Sequence, residues 1–112
     1  MSWQNAKKVA DDWCAKHLAE VDLKGKLVQL VAFNDDETCR WFYPDRDLGF
    51  HKMITTAIAR EARKRGAKTI YVPVTKTDYL FGREDLPGKC PPGLSGQKER
   101  SEFIEKCHRV LG

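Results

Sequence analysis

The sequence has no long apolar stretch. Its longest uninterrupted runs of hydrophobic residues, such as Leu30–Phe33, are four residues long, whereas a helix that crosses a bilayer needs about twenty apolar residues. The first residues, with Trp3 and Lys7 among polar neighbours, do not follow the charged-then-apolar order of a secretory signal. We therefore expect a cytoplasmic protein with no membrane partner.

The sequence also has no cysteine arrangement typical of a metal site. None of its four cysteines forms a Cys-x-x-Cys pair, and none has a histidine at zinc-binding spacing. Cys14 and Cys107 fall on the apolar stripes of predicted helices, where a free thiol packs as a small hydrophobic group. Without an export signal, cysteines are normally reduced. We expect no disulfide, no metal ion and no cofactor.

Charge of one sign is only slightly in excess. Twenty Lys and Arg against sixteen Asp and Glu give a net charge of +4, and many DNA-binding domains are more basic and gather their charge on one face. This balance permits a nucleotide or nucleic-acid partner without demanding one. The stripe formed by Lys52, Arg60 and Lys64 is interpreted as a solvated helix face. The 112 residues, 41% of them hydrophobic, suffice for a single domain with its own core.

Apolar periodicity predicts most of the secondary structure. Residues 2–21 and 47–66 carry apolar residues at three- and four-residue steps, which is typical of helices. Ser2 and Asp47 are suitable N-cap residues for them. Short runs rich in strand formers predict strands. These strands are expected at 27–33, 38–43 and 69–75, and a last helix is expected at 96–110.

The order helix, strand, strand, helix, strand, helix predicts an α/β or α+β fold with a small three-stranded mixed sheet and helices packed on it. The strand-helix-strand segment 38–75 predicts a right-handed crossover between parallel strands. The loops after Tyr43 and Thr75 would then leave the sheet at one edge, where ligands bind in open α/β folds. Residues 76–95, rich in Pro and Gly, are predicted to form a long irregular loop of the kind that is often functional.

The predicted binding site lies on these two loops. Arginine and lysine side chains pair with phosphate oxygens, and an aromatic ring stacks on a nucleobase. A glycine-containing turn before the last helix would add backbone N–H groups as a second phosphate contact. We therefore predict a small non-enzymatic binding protein for a phosphate-bearing ligand, either a nucleotide or a nucleic-acid segment. The predicted ligand-binding residues are Tyr43, Arg46, Lys76, Thr77, Tyr79, Arg83, Ser95, Gly96 and Lys98.

One alternative is a small metal-dependent hydrolase or nuclease. Asp35 and Asp36 follow a predicted strand and could hold Mg²⁺, and Asp47 stands one helical turn before His51. The other two histidines are given structural interpretations. His17 is expected in the core, and His108 is expected at the surface.

A second alternative is a protein-interaction module, such as an inhibitor or adaptor. Trp3, Trp41 and the segment Tyr79–Phe81 would then be exposed anchors, because interface centres favour aromatic residues. The last predicted strand could also pair two copies into a homodimer as an edge strand. Pro73 within it disfavours such strand addition.

Overall fold

The computed structural model describes residues 2–93 and 96–112 of the chain. These residues form five helices and three strands, and most of them coincide with the periodic segments of the sequence. In chain order they are α1 (Trp3–His17), β1 (Leu27–Ala32), α2 (Asp36–Phe42), α3 (Leu48–Lys64), β2 (Lys68–Pro73), α4 (Lys76–Phe81), α5 (Gln97–Cys107) and β3 (Arg109–Leu111).

The three strands form one mixed sheet in the order β2-β1-β3. β1 and β2 are parallel, with Leu27 opposite Lys68 at one end and Ala32 opposite Pro73 at the other. β3 is antiparallel to β1 and places Leu111 opposite Leu27. The prediction of a single α/β domain with a small three-stranded mixed sheet is therefore confirmed.

The core has one layer on each face of β1, because successive side chains of a strand point to opposite faces. Val28 and Leu30 are buried in a cluster built mainly from α1 and α3. Val31 and Phe33 are buried in a second cluster with side chains of α2, α4 and α5. Helices therefore cover both faces of the central strand.

The two long helices begin where the sequence predicts. The Ser2 side chain accepts from the Asn5 N–H at 3.2 Å, and the Asp47 carboxylate accepts from the Phe50 N–H at 2.7 Å, so both predicted N-caps are confirmed. α3 ends just before Gly66, whose φ of +91° turns the chain towards β2. In the described ranges no helix combines the length and the apolar character that a membrane span requires.

The predicted strand at 38–43 is wrong, because these residues belong to α2. Asp35 caps this helix by accepting from the Thr38 N–H at 2.7 Å, and Arg40 pairs with Asp36 at 2.8 Å one turn earlier. Cys39 and Phe42, three residues apart, turn the same face into the core. The parallel neighbour of β2 is consequently β1, and the third strand of the sheet is β3.

The prediction of an irregular loop over 76–95 is wrong at its start, where α4 forms. Its signal is a capping box: the Thr75 hydroxyl accepts from the Asp78 N–H, and the Asp78 carboxylate accepts from the Thr75 N–H. Residues 82–93 contain no helix or strand. The last helix ends at Cys107, and the chain then continues as β3 where a longer helix was predicted.

None of the four cysteines forms a disulfide bond. Burial raises the pKa of Cys14 and of Cys39 to about 11 and that of Cys107 to about 12. These three thiols therefore stay protonated and pack as small hydrophobic groups, as the positions of Cys14 and Cys107 on helical stripes predict.

Candidate functional site

Arg83, a predicted phosphate ligand, is held by two carboxylates of its own chain. Its guanidinium donates to both oxygens of Asp85, at 2.5 and 2.9 Å, and lies 3.3 Å from the Asp78 carboxylate. It also donates to the Pro73 carbonyl at 3.0 Å. The guanidinium holds the pKa of the Asp85 carboxyl below its ordinary value. Arg83 thus clamps the segment after α4 against the end of β2, and its charge is neutralised there.

The predicted residues on α4 do not share one pocket. Tyr79 is buried, with its ring packed edge-on against the rings of Trp41 and Phe103. The Lys76 ammonium pairs with Glu37 at 3.4 Å and lies 5.5 Å from the centre of the Trp41 ring. Thr77 is exposed to solvent. α4 therefore covers the core with its aromatic side chain and places Lys76 beside an acid.

The start of α5 already carries its own negative charge. Gly96 is the N-cap residue without a side-chain cap, and the carboxylate of Glu99 stands 2.6 Å from where a Cβ on Gly96 would lie. Lys98 is exposed and lies 4.0 Å from Glu102. Ser95 is outside the described residues. An anion bound at this helix start would have to compete with Glu99.

The acidic residues after β1 cap α2 and form hydrogen bonds that connect it to the start of α3. Asp35 is the helix cap, and Asp36 accepts from the Leu48 N–H at 2.8 Å while it also pairs with Arg40. These contacts lower the pKa of Asp36, and the Leu48 hydrogen bond is the larger cause. Within residues 2–93 and 96–112, no cluster of three or more His, Cys, Asp or Glu side chains could hold a metal ion.

Asp47 and His51 do not form a catalytic pair. The Asp47 carboxylate is occupied by the first turn of α3, as the cap of the Phe50 N–H. The His51 ring is turned towards the sheet, with Nε2 3.1 Å from the Val31 carbonyl. The residues proposed for an enzyme are therefore used to hold the fold.

Tyr43 and Arg46, the remaining two predicted residues, line a cleft of about 210 Å³, which we call the Arg46 cleft. α1, α3 and the end of α5 form its walls. The floor is apolar, because Trp13, Ile54 and Ile58 are buried side chains of the α1–α3 cluster. The lining consists of Val9, Asp12, Trp13, Lys16, His17, Tyr43, Arg46, Ile54, Ile58, Glu105 and His108.

Arg46 is a cation held against an aromatic ring. Its Cζ lies 4.0 Å from the centre of the Tyr43 ring, in cation–π contact. No carboxylate in residues 2–93 and 96–112 lies within ion-pair distance of its guanidinium, whereas Arg40, Arg65 and Arg83 each have such a partner. Burial raises the pKa of Tyr43, and the nearby Arg46 opposes this shift. The Tyr43 ring therefore stays neutral beneath an unneutralised positive charge.

Two further walls of the cleft carry N–H groups. The indole Nε1 of Trp13 is buried and has no hydrogen-bond partner among the described residues. His108 Nδ1 accepts from the Val31 N–H at 3.0 Å, so the neutral ring carries its proton on Nε2. Burial lowers the pKa of His108 to about 3, which keeps the ring neutral near pH 7. Two residues that line the cleft thus carry N–H groups, and that of Trp13 is buried.

The mouth of the cleft carries charges of both signs. Lys16 and Glu105 approach each other to 3.9 Å across it, and Asp12 stands beside them. The residues that line the cleft include no serine, threonine or cysteine.

The sequence predicted two of the eleven residues that line this cleft, Tyr43 and Arg46, and it misplaced two of the other nine. His17 is exposed on α1, where a core position was expected, and His108 is buried, where a surface position was expected. Trp13 and His17, four residues apart on α1, have ring centres 4.9 Å apart. Their helical spacing was the available signal that both side chains share one face.

No family model, curated protein or solved structure matches this chain. A function must therefore be inferred from the chemistry of the cleft itself.

Proposed function

We propose that the protein binds a small ligand that joins a planar ring to an anionic group, such as a mononucleotide, in the Arg46 cleft. The observation that carries this proposal is the Arg46 guanidinium, which lies over the Tyr43 ring at 4.0 Å and has no carboxylate partner in the described parts of the chain. A partly buried cation without a counter-ion is a favourable position for an anion.

The chemistry of the walls is consistent with such a ligand. A guanidinium offers paired N–H donors that match two oxygens of a phosphate or carboxylate. The buried Trp13 and the aliphatic Ile54 and Ile58 provide the apolar surface that a planar ring prefers. Donors and apolar surface therefore stand together in one cleft.

The size of the cleft limits the ligand. About 210 Å³ is less than the roughly 300–1,000 Å³ of most small-molecule pockets. A mononucleotide would therefore bury only one end and leave the other at the charged mouth. A nucleic-acid segment requires an extended surface, so the mononucleotide class is the one the geometry favours.

Isothermal titration calorimetry with adenosine monophosphate tests this proposal. We expect Arg46→Gln to weaken binding by about 10- to 100-fold, since hydrogen bonds to charged groups contribute roughly 1.5–3 kcal/mol. Arg60→Gln is the matched control, because Arg60 also lies over an aromatic ring, at 5.1 Å from the centre of Trp3, but is outside the cleft. We expect its affinity to equal that of the wild type.

Adenosine and inorganic phosphate, each titrated alone, separate the two halves of the ligand. We expect both to bind more weakly than the nucleotide that joins them. Equal losses of affinity in Arg46→Gln and Arg60→Gln would show that binding depends only on the overall positive charge of the protein and not on the Arg46 cleft. No heat with any of the three compounds would contradict the proposal.

A further inference from the structure

β2 is an edge strand with apolar side chains on both of its faces. Within residues 2–93 and 96–112 it has a single neighbour in the sheet, β1. Ile70 and Tyr71 are 43% and 44% exposed, and as successive residues they point to opposite faces. Exposed strand edges with apolar side chains favour pairing with another strand.

The hydrogen bonds at both ends of β2 show which of its backbone groups face outward. The Lys68 N–H donates to the Lys26 carbonyl at 2.9 Å, and the Val74 N–H donates to the Ala32 carbonyl at 3.3 Å. Because the backbone groups of a strand alternate between its two sides, even-numbered residues of β2 face β1. Thr69, Tyr71 and Pro73 therefore direct their backbone groups to the open edge.

The end of this edge at Pro73 is closed to pairing. Proline has no N–H to offer, and the Pro73 carbonyl accepts from the Arg83 guanidinium at 3.0 Å. The open part of the edge is thus limited to Thr69 and Tyr71. These two residues offer two N–H donors and two carbonyl acceptors.

We propose that β2 pairs in antiparallel fashion with β2 of a second copy of this chain, which joins two sheets into one of six strands. Thr69 of each copy lies opposite Tyr71 of the other, and the four donors and four acceptors form four hydrogen bonds. The two Ile70 residues face each other on the two-fold axis. The edge is self-complementary in this register, which is why a second copy is the partner.

The alternative register, centred on Tyr71, is disfavoured. It would place Thr69 opposite Pro73, where an N–H is missing and Arg83 occupies the carbonyl. In the proposed register Lys68 lies opposite Val72, so the two Lys68 residues are about 14 Å apart along the strands. This exceeds the Debye length of about 8 Å at physiological salt, so their repulsion is screened.

Analytical ultracentrifugation of wild-type protein over a wide concentration range tests the association. We expect a concentration-dependent dimer of the 12.8 kDa chain, and we expect Ile70→Lys to be monomeric because it brings two ammonium groups together on the axis. Leu80→Lys is the control, since Leu80 is 42% exposed but lies on α4. We expect it to dimerise like the wild type.

Cysteine cross-linking tests the register. Residues in a non-hydrogen-bonded antiparallel pair have Cα atoms about 4.5 Å apart, within disulfide range. Mild oxidation should therefore link Ile70→Cys into dimers, while Tyr71→Cys, whose copies are about 8 Å apart, should remain at the wild-type background. A monomeric wild type at every concentration, or equal cross-linking of the two variants, would overturn the proposal.

Discussion

At the scale of single residues, two buried histidines form hydrogen bonds with the backbone N–H and carbonyl of Val31, near the end of β1. The Val31 N–H donates to His108 Nδ1 at 3.0 Å, and its carbonyl accepts from His51 Nε2 at 3.1 Å. A protonated His108 would lose the acceptor that this N–H requires. Burial lowers the pKa of His51 from 6.5 to about 4 and that of His108 to about 3. Both rings are therefore neutral in the folded protein near pH 7.

These two pKa values predict how stability changes with pH. The unfolded chain, with histidine pKa values of about 6.5, binds protons before the folded chain as the pH falls. The free energy of unfolding should therefore decrease as the pH falls from about 6.5 towards 4. At about pH 5 the loss should be about 2 kcal/mol for each histidine. Urea denaturation at neutral pH and at about pH 5 measures this difference.

His51→Gln is the variant that isolates one of the two histidines. A glutamine amide can still donate to the Val31 carbonyl, but it does not titrate. We expect the loss of stability between neutral pH and about pH 5 to shrink by about half. A variant that keeps the full pH dependence of the wild type would show that His51 does not carry it.

At the scale of helices and strands, long periodic segments could be predicted from the sequence and short ones could not. α1, α3 and α5 each repeat an apolar stripe over several turns, and β1 is a short apolar run interrupted by Gln29, so these patterns predict the type of each element. α2 and α4 span only two turns or fewer, so their local signal is weak. The aromatic residues of α2 are typical of a strand. Their helical arrangement becomes evident only in the fold, where Phe42 is buried in the core.

The same segments contained a second signal that favours helix over strand. Asp35 with Thr38, and Thr75 with Asp78, are cap pairs at the spacing of a helix start. β3 has only three residues, and its place in the sheet depends on pairing with β1, which no local pattern reveals.

Asp35→Ala should destabilise the protein by about 1 kcal/mol, because it removes the acceptor for the Thr38 N–H at the start of α2. Asp35→Asn is the matched control, since asparagine caps helices about as well as aspartate. Chemical denaturation of both variants measures the effect. Equal stability of Asp35→Ala and Asp35→Asn would show that the cap does not stabilise α2.

The candidate site was only partly predictable, because some of its contacts join residues that are far apart in the sequence. Tyr43 and Arg46 could be proposed from their place beside a predicted strand end. The pairing of Lys76 could not be predicted, because Glu37 becomes its neighbour only through the folding of α2 and α4. Asp85 lies two residues from Arg83 in the chain, so a local partner for Arg83 was visible in the sequence. Trp13 and His108 meet across 95 positions of the chain, with ring centres 5.9 Å apart.

At the scale of the whole molecule, the proposed cleft and the proposed dimer edge use different parts of the fold. The Arg46 cleft is lined by α1, α3, the end of α5 and the loop before α3, and no residue of β2 lines it. The proposed dimer edge belongs to β2, one of the two outer strands of the sheet. Ligand binding and association can therefore be tested independently, and the monomeric Ile70→Lys variant should keep the nucleotide affinity of the wild type.

The most direct measurement of the central claim is an NMR titration of ¹⁵N-labelled protein with adenosine monophosphate, in which the indole N–H signals are followed. Trp13 lines the Arg46 cleft, whereas Trp3 lies beside Arg60 outside it. We predict that the Trp13 signal shifts and saturates, that the Trp3 signal does not move, and that Arg46→Gln abolishes the Trp13 shift at the same concentrations. A Trp13 signal that stays fixed in the wild type, or that shifts equally in Arg46→Gln, would contradict binding in this cleft.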